Sequence, residues 1–349
     1  MTAQTYHTQQ NQQNILKLRE MLKELPPFTA EYFRTLTDQT SALTRLAYAY
    51  DLKIFFGFLS EEFFDNSPII SITLEDMGKV ESEQIEAFME YLTYYIPVGE
   101  PDSSQQNEAR GKSRKLAAVR GLFKHLYKKK KIAANPAELV SFPKINEKSI
   151  TTLEVEEIAK LLDEVDSGEN LTERQKKFHE RTKIRDAAII TLLLGTGMRV
   201  SECVGLDISD IDFATNGLRV VRKGGDEMIL YFGAEVEAAL RTHLTDREKS
   251  LTLEGHENAL FLSLQNRRIT DRAIQKMVKK YASLITRLKN ISPHKLRSTF
   301  GTQLYAETGD IYLVANVLGH ADVNTTRKHY AKMDDTYRRR AANAVRLRD

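Results

Sequence analysis

Ser292-Pro293-His294-Lys295-Leu296-Arg297-Ser298-Thr299-Phe300 and, further on, Leu318-Gly319-His320-Ala321-Asp322-Val323-Asn324-Thr325-Thr326-Arg327-Lys328-His329-Tyr330 gather two imidazoles, a guanidinium and a phenol near one end of the chain. Pro293 suits the first turn of a helix, where its missing N–H costs nothing. His294 and Arg297, three residues apart, then share a face of that turn. A helix start also offers free backbone N–H groups and the positive end of the dipole, which attract phosphate. A guanidinium forks onto phosphate oxygens, a phenol can attack phosphorus, and imidazoles donate or move protons. The inventory of His294, Arg297, His320 and Tyr330 therefore suits a phosphodiester. Each residue alone has a duller reading: a lone histidine is more often a core hydrogen-bonder, and a lone tyrosine usually packs.

Working back along the chain, Gly195-Thr196-Gly197 ends an apolar helical run over 184–194, and Arg199 and Glu202 follow. The spacing lacks the Gly-x4-Gly-Lys-Ser/Thr pattern of a phosphate-cradling loop. Arg199 among apolar neighbours needs a partner, and either Glu202 or a phosphate would serve. Leu218–Lys223 and Met228–Phe232 flank Gly224-Gly225-Asp226-Glu227, a hairpin signal, with Lys223 beside the turn as an exposed charge or as a probe into a groove. Residues 260–264 read as a further short strand, and the helix from Thr270-Asp271 to Leu288 carries Arg272, Lys276, Lys279 and Lys280. Residues 163–183, almost all polar, read as a surface excursion.

The first part of the chain reads as helix throughout. Leu43, Leu46, Ala47, Tyr50, Ile54, Phe55 and Phe58 mark one apolar face behind a capping Ser41, and residues 1–13 read as a polar tail or a helix extension. From Arg110 to Lys131 there are ten Lys or Arg and no acid, while Leu116, Val119, Leu122, Phe123 and Leu126 keep helical spacing. One face is apolar and the other basic, and an unrelieved basic face points to a polyanion or, more blandly, to a solubilising helix. A polar stretch, 143–152, divides a helical domain (1–142) from a second domain (153–349). The fold class is thus mainly α with a small antiparallel β-sheet.

Composition bounds the rest. The 349 residues are 41% hydrophobic and 28% charged, with a formal net charge of +3. That is a globular composition with material for real cores, and no apolar run approaches a membrane span. With a polar start, the expectation is a cytoplasmic protein. The single cysteine, Cys203, excludes an intramolecular disulfide and a cysteine-based metal site, and its apolar setting predicts a buried thiol.

Together these features resemble the tyrosine recombinases, or phage integrase family, with the Xer-like branch nearest. The resemblance is carried by Gly197-Met198-Arg199-Val200-Ser201-Glu202, by Arg222-Lys223-Gly224 at the hairpin, by His294-Lys295-Leu296-Arg297, by Leu318-Gly319-His320, and by the closing tyrosine. In the first domain, 114–124 looks like the family's core-binding helix. The chain departs from the family where Ser298 follows Arg297 in place of the frequent histidine. Tyr330 also lies ten residues after His320 where nine is usual; Tyr305, Tyr312 and Tyr337 are the alternatives. The resemblance implies a helical core-binding domain joined to an α+β catalytic domain. It implies Tyr330 as nucleophile, Arg199 and Arg297 as phosphate clamps, Lys223 as general acid, His294 and His320 as proton-handling and hydrogen-bonding groups, and Glu202 in support. Arg110, Lys112, Arg114, Lys115, Arg120, Lys124, Arg272 and Lys276 would face DNA. No metal or other cofactor is implied. The partners would be double-stranded DNA at specific recombination sites, and three further copies of the chain in a homo-tetramer on two sites, coupled through the C-terminal helix, acting on nucleoid DNA. Chromosome dimer resolution is the role this branch suggests. Mobile-element integration or excision, a type IB topoisomerase and a non-catalytic DNA-binding protein on the same scaffold are the rivals.

Overall fold

The computed structural model describes residues 6–96, 104–145, 151–222, 225–286, 288–319 and 323. The chain divides into two compact units, Met1–Glu147 and Lys148–Asp349. Among the described residues no helix is long and apolar enough to cross a membrane.

The first unit is built from α1 (Tyr6–Leu22), α2 (Thr29–Thr35), α3 (Ala42–Phe63), α4 (Leu74–Gly78), α5 (Ser82–Tyr91) and α6 (Ala109–Lys128). Of the two readings of the N-terminal tract, the helix extension holds from Tyr6 onward. The Ser41 hydroxyl caps α3 by accepting the Thr44 N–H at 3.2 Å, satisfying one of the donors a helix start leaves orphaned. Leu52, Phe55, Phe56 and Leu59 of α3 are fully buried with Ile85 and Phe88 of α5 and Leu122 and Phe123 of α6. Phe55 meets Phe88 edge-to-face at 5.1 Å and Phe123 at 6.2 Å, the geometry that aromatic quadrupoles favour.

The polar face of α6 departs from the sequence expectation at one position. Lys115 is 4% exposed. Its ammonium donates to the Asn107 Oδ1 at 2.9 Å and lies 3.8 Å from a carboxylate oxygen of Asp51. Lys115, expected on the DNA-facing side, therefore belongs to the interior of this unit and not to its exposed basic face. Periodicity alone missed this because the partner, Asp51, sits on α3, far away in sequence. Arg114 also reaches Asp51, at 2.7 Å, but stays half exposed. Lys112 donates to the Thr93 hydroxyl at 2.7 Å, and the Arg120 guanidinium lies over the Phe142 ring at 4.9 Å. Arg110, Lys124 and Lys128–Lys130 are exposed.

The second unit contains α7 (Val155–Ser167), α8 (Glu173–Thr196), α9 (Val200–Gly205), β1 (Ile211–Asp212), β2 (Gly217–Val221), β3 (Glu227–Tyr231), α10 (Ala234–Arg247), α11 (Asp271–Ile285), α12 (Pro293–Thr308) and α13 (Ile311–Leu318). The strands form an antiparallel sheet in the order β1-β2-β3, with Leu218 opposite Leu230 and Val221 opposite Glu227. Leu218, Val220 and Leu230 point inward while Arg219 and Ile229 face out, the period of two that a half-buried sheet requires. In place of the strand expected over 260–264 there are only isolated bridges, Leu262 with Arg268 within the stretch and Asp207 with Ala259 just before it.

Residues 163–183 are not a surface excursion. α7 runs to Ser167 and ends at Gly168, whose φ of 64° suits a residue without a side chain. Thr172 and Gln175 then form a capping box that starts α8 well before Ile184. The polar stretch concealed inward-facing residues. His179 Nδ1 lies 3.0 Å from the Tyr281 hydroxyl. That hydroxyl and the Thr182 hydroxyl each donate to the buried Asp186 carboxylate at 3.0 Å. The extra length is thus a helix extension stapled to α11 by a buried polar network. The centre of α8, Ala188–Leu193, is almost wholly buried and packs against α7, α10 and α12.

Candidate active site

The centre of the site is the C-terminal end of α13. The last carbonyls of a helix have no intrahelical donor and carry the negative end of the macrodipole. Gly319 closes α13 with a φ of 61°. Three successive carbonyls at this end each take an arginine. Arg222 donates to Val317 O at 2.8 Å, Arg297 to Leu318 O, and Arg199 to Gly319 O at 3.1 Å. The guanidiniums come from the end of β2, from the first turns of α12, and from the start of α9. Residues separated in sequence by up to about a hundred positions are brought onto one helix end.

Each arginine is further fixed from its own side. Arg199 begins α9 in extended backbone, and Glu202, 3% exposed, grips it twice. One carboxylate oxygen accepts the Arg199 backbone N–H at 2.7 Å, and the other accepts its guanidinium at 2.8 Å. Of the two partners the sequence allowed for Arg199, Glu202 is thus engaged, while about a third of the arginine side chain remains exposed. Arg297 is 4% exposed and also donates to Gly197 O at 2.7 Å. Gly197 ends α8 with a φ of 62°, and a Cβ there would stand 2.3 Å from the Phe300 ring and 2.9 Å from Leu318. The glycine at this corner is what lets α8, α12 and α13 meet. Burial pushes the Arg222 guanidinium below its ordinary range, the nearby Arg199 charge acts in the same sense, and Glu202 opposes both.

His294 lies one turn before Arg297 on α12 and is exposed. Ser298, the departure noted above, donates to the His294 carbonyl at 3.0 Å. Thr299 accepts the Leu153 N–H at 3.0 Å, stitching the start of the catalytic segment to α12. Lys223, His320 and Tyr330 lie outside the described residues, as does Tyr337. Of the alternative tyrosines, Tyr305 is on α12 and Tyr312 is on α13, the latter 71% exposed. Arg272 and Lys276 are exposed on α11, one turn apart. Cys203 is buried, and burial raises its thiol far above the ordinary value, so it is not a nucleophile.

Arg222 is the residue that sequence reasoning passed over. It was visible only as the flank of the hairpin lysine, and nothing local distinguishes it from the outward Arg219, which pairs with Asp210 at 2.7 Å. Among the described residues the arrangement gathers three cations, Arg199, Arg222 and Arg297, against one carboxylate, Glu202, with the guanidiniums held by main-chain oxygens in a partly water-excluded corner. Preorganised cations of this kind stabilise charge that develops on a phosphoryl group.

The phage integrase family matches residues 151–336. The tyrosine recombinase XerC of Caldanaerobacter subterraneus is 33% identical over 94% of this chain and 89% of its own length. The tyrosine recombinase XerD of Corynebacterium glutamicum is 30% identical over 73% of this chain and 79% of its own length. In fold, the chain is similar to a XerH site-specific recombinase solved in a pre-cleavage complex with its difH substrate. The TM-score is 0.60, with 24% identity, 86% of this chain and 79% of that one covered.

Proposed function

The chain belongs to the phage integrase family and is a tyrosine recombinase, an enzyme of DNA strand transfer, and we propose that it exchanges strands at specific duplex sites in the manner of the Xer branch, with chromosome dimer resolution as its role. The observation that carries the reading is the convergence of Arg199 and Arg297 on the end of α13, one residue before His320. In the reaction, the Tyr330 oxygen attacks the scissile phosphorus, a phosphotyrosyl bond forms at the 3′ side, and the bond to the 5′-oxygen breaks. Lys223 gives that oxygen its proton, and His294 takes the proton of the phenol. Arg199 and Arg297 hold the non-bridging oxygens as negative charge grows, His320 hydrogen-bonds the phosphate, and Glu202 orients Arg199. Because the covalent link stores the phosphodiester bond, rejoining needs no ATP, and the guanidiniums and ammonium supply the charge a metal otherwise would.

The helical first unit serves as the core-binding domain. Arg110, Lys124 and the exposed part of Arg114, with Lys112 and Arg120 beside them, track the phosphate backbone, and Arg272 and Lys276 of α11 add contacts from the second unit. Four copies assemble on two sites, with the basic segment after Tyr330 docking on a neighbouring copy.

The test is covalent trapping. DNA retained by the chain is resynthesised with a nick beside the cleavage point, so that the cut end diffuses away. The expected product is a protein–DNA adduct that survives denaturant, forms with chelator present and without ATP, and is absent in Tyr330→Phe. An adduct persisting in Tyr330→Phe assigns the attack to Tyr305, Tyr312 or Tyr337 instead. Binding with no adduct from the wild type makes the chain a binding module. Relaxation of supercoils by isolated copies, without pairing of sites, makes it a topoisomerase.

A further inference from the structure

Arg222 has more fixed contacts than a strand-end arginine needs. Its backbone closes the β2–β3 turn from both sides: its N–H donates to Asp226 O at 2.8 Å, and its carbonyl accepts the Gly225 N–H at 3.0 Å. Its side chain leaves the turn altogether and donates to Val317 O at 2.8 Å. There it fills the space that a side chain on Gly319 would occupy, with a terminal nitrogen 1.7 Å from where that Cβ would stand. Its Nε is buried and has no hydrogen-bond partner among the described residues. An unpaired buried N–H is unfavourable by about 1–3 kcal/mol, and a guanidinium free to turn toward water would avoid it. The Arg222 side chain is therefore held by the fit between the turn and the end of α13.

We propose that Arg222 is a positioning residue of the reaction, a latch that ties the start of the β2–β3 turn to the end of α13 and on which proton delivery by Lys223, the next residue in the chain, depends. Arg222 stands one residue before Lys223, and Gly319, whose side-chain space its guanidinium fills, stands one residue before His320. A guanidinium bridging these two corners couples the group that protonates the leaving oxygen to the group that bonds the phosphate. It touches neither reacting atom. Arg219, three residues earlier on β2, is paired on the outer face with Asp210 and cannot play this part. The proposal rests on Lys223 being the general acid.

The experiment separates the two. Single-turnover cleavage is measured on the trapping duplex and on the same duplex with sulfur replacing the bridging 5′-oxygen, whose thiolate leaves without a proton. On the oxygen substrate Arg222→Ala is expected to slow cleavage by about 10²-fold, the scale of a misplaced acid. On the sulfur substrate it recovers to within about threefold of wild type, as a variant impaired only in leaving-group protonation should. Lys223→Ala recovers likewise, whereas Arg199→Ala stays slow on both, since sulfur does not replace a phosphate clamp. Arg222→Gln, which keeps an amide donor but not the fork, is run beside it with DNA affinity and thermal unfolding. Arg222 variants that fold, bind DNA and remain slow on the sulfur substrate while Lys223→Ala recovers overturn the latch and make Arg222 a phosphate contact. Failure of Lys223→Ala to recover overturns the assignment of the acid, and the latch with it.

Discussion

Gly319 has no side chain because Arg222 occupies its place: a Cβ there would lie 1.7 Å from one guanidinium nitrogen and 2.1 Å from the Arg222 Cζ. The obstructed atoms are the far end of a flexible side chain, so Gly319→Ala should expel Arg222 and leave the backbone in place. The left-handed φ of 61° adds about 1–2 kcal/mol of strain for alanine. The expected result is cleavage slowed at least tenfold, with DNA affinity kept. In an Arg222→Ala background the same change should slow cleavage much less, because the clash is gone. A double-mutant cycle on single-turnover rates checks this, and simple additivity would refute the contact.

Glu202 joins the start of α9 to Arg199 with both carboxylate oxygens and is almost fully buried. Glu202→Ala removes the cap of α9 and leaves a partly buried guanidinium without its carboxylate. The chain should lose about 2 kcal/mol of stability, the scale of a lost charged hydrogen bond with its cap. Cleavage should fall further than DNA affinity, because Arg199 keeps its charge but loses its aim. Urea unfolding and single-turnover cleavage measure the two effects. A loss of affinity matching the loss of rate would place Glu202 in general DNA binding instead.

The parts of this molecule that were legible beforehand were those encoded by local pattern. The apolar periodicity of α3 and α6, the Ser41 cap, the glycine breaks at Gly197 and Gly319 and the β2–β3 hairpin are all short-range signals. Arg199, Glu202 and Arg297 were legible because motif spacing carries them. What escaped depended on partners distant in the chain. Asp51 draws Lys115 inside, and Asp186 and Tyr281 turn the polar start of α8 into a buried staple. Arg222 became notable only once α13 arrived beneath it. No window of sequence contains those pairs, so local pattern reads Lys115 as basic surface and the polar residues 163–183 as a surface excursion.

The basic face of α6 divides accordingly. Arg110 and Lys124 are exposed, whereas Lys115 is buried. If each exposed cation neutralises one phosphate, Arg110→Gln and Lys124→Gln should each reduce the slope of log affinity against log salt by about 0.9. Lys115→Met should leave that slope unchanged and act on stability, since it strips a buried carboxylate of a partner. Binding titrations across a salt series decide the matter. An altered slope for Lys115→Met would mean that the lysine leaves the interior on DNA.

Asp51 makes the first unit sensitive to pH. Burial pushes its carboxyl up to about 6, against the opposing pull of Arg114 and Lys115. The free carboxyl value is 3.8, so between roughly pH 4 and 6 the folded chain holds a proton that the unfolded chain has released. Stability therefore rises as pH falls through 6, and the gain is complete below about 4. A difference of about two units corresponds to about 3 kcal/mol. Many carboxylates titrate in the same range, so the measurement is a difference: unfolding free energies of the full chain and of Asp51→Asn, compared from pH 7.5 down to 4.5. Asparagine does not ionise, so the wild type should gain on the variant by about 2 kcal/mol over that interval, the rest of the gain lying below it. A flat difference would show that Arg114 and Lys115 hold Asp51 ionised throughout.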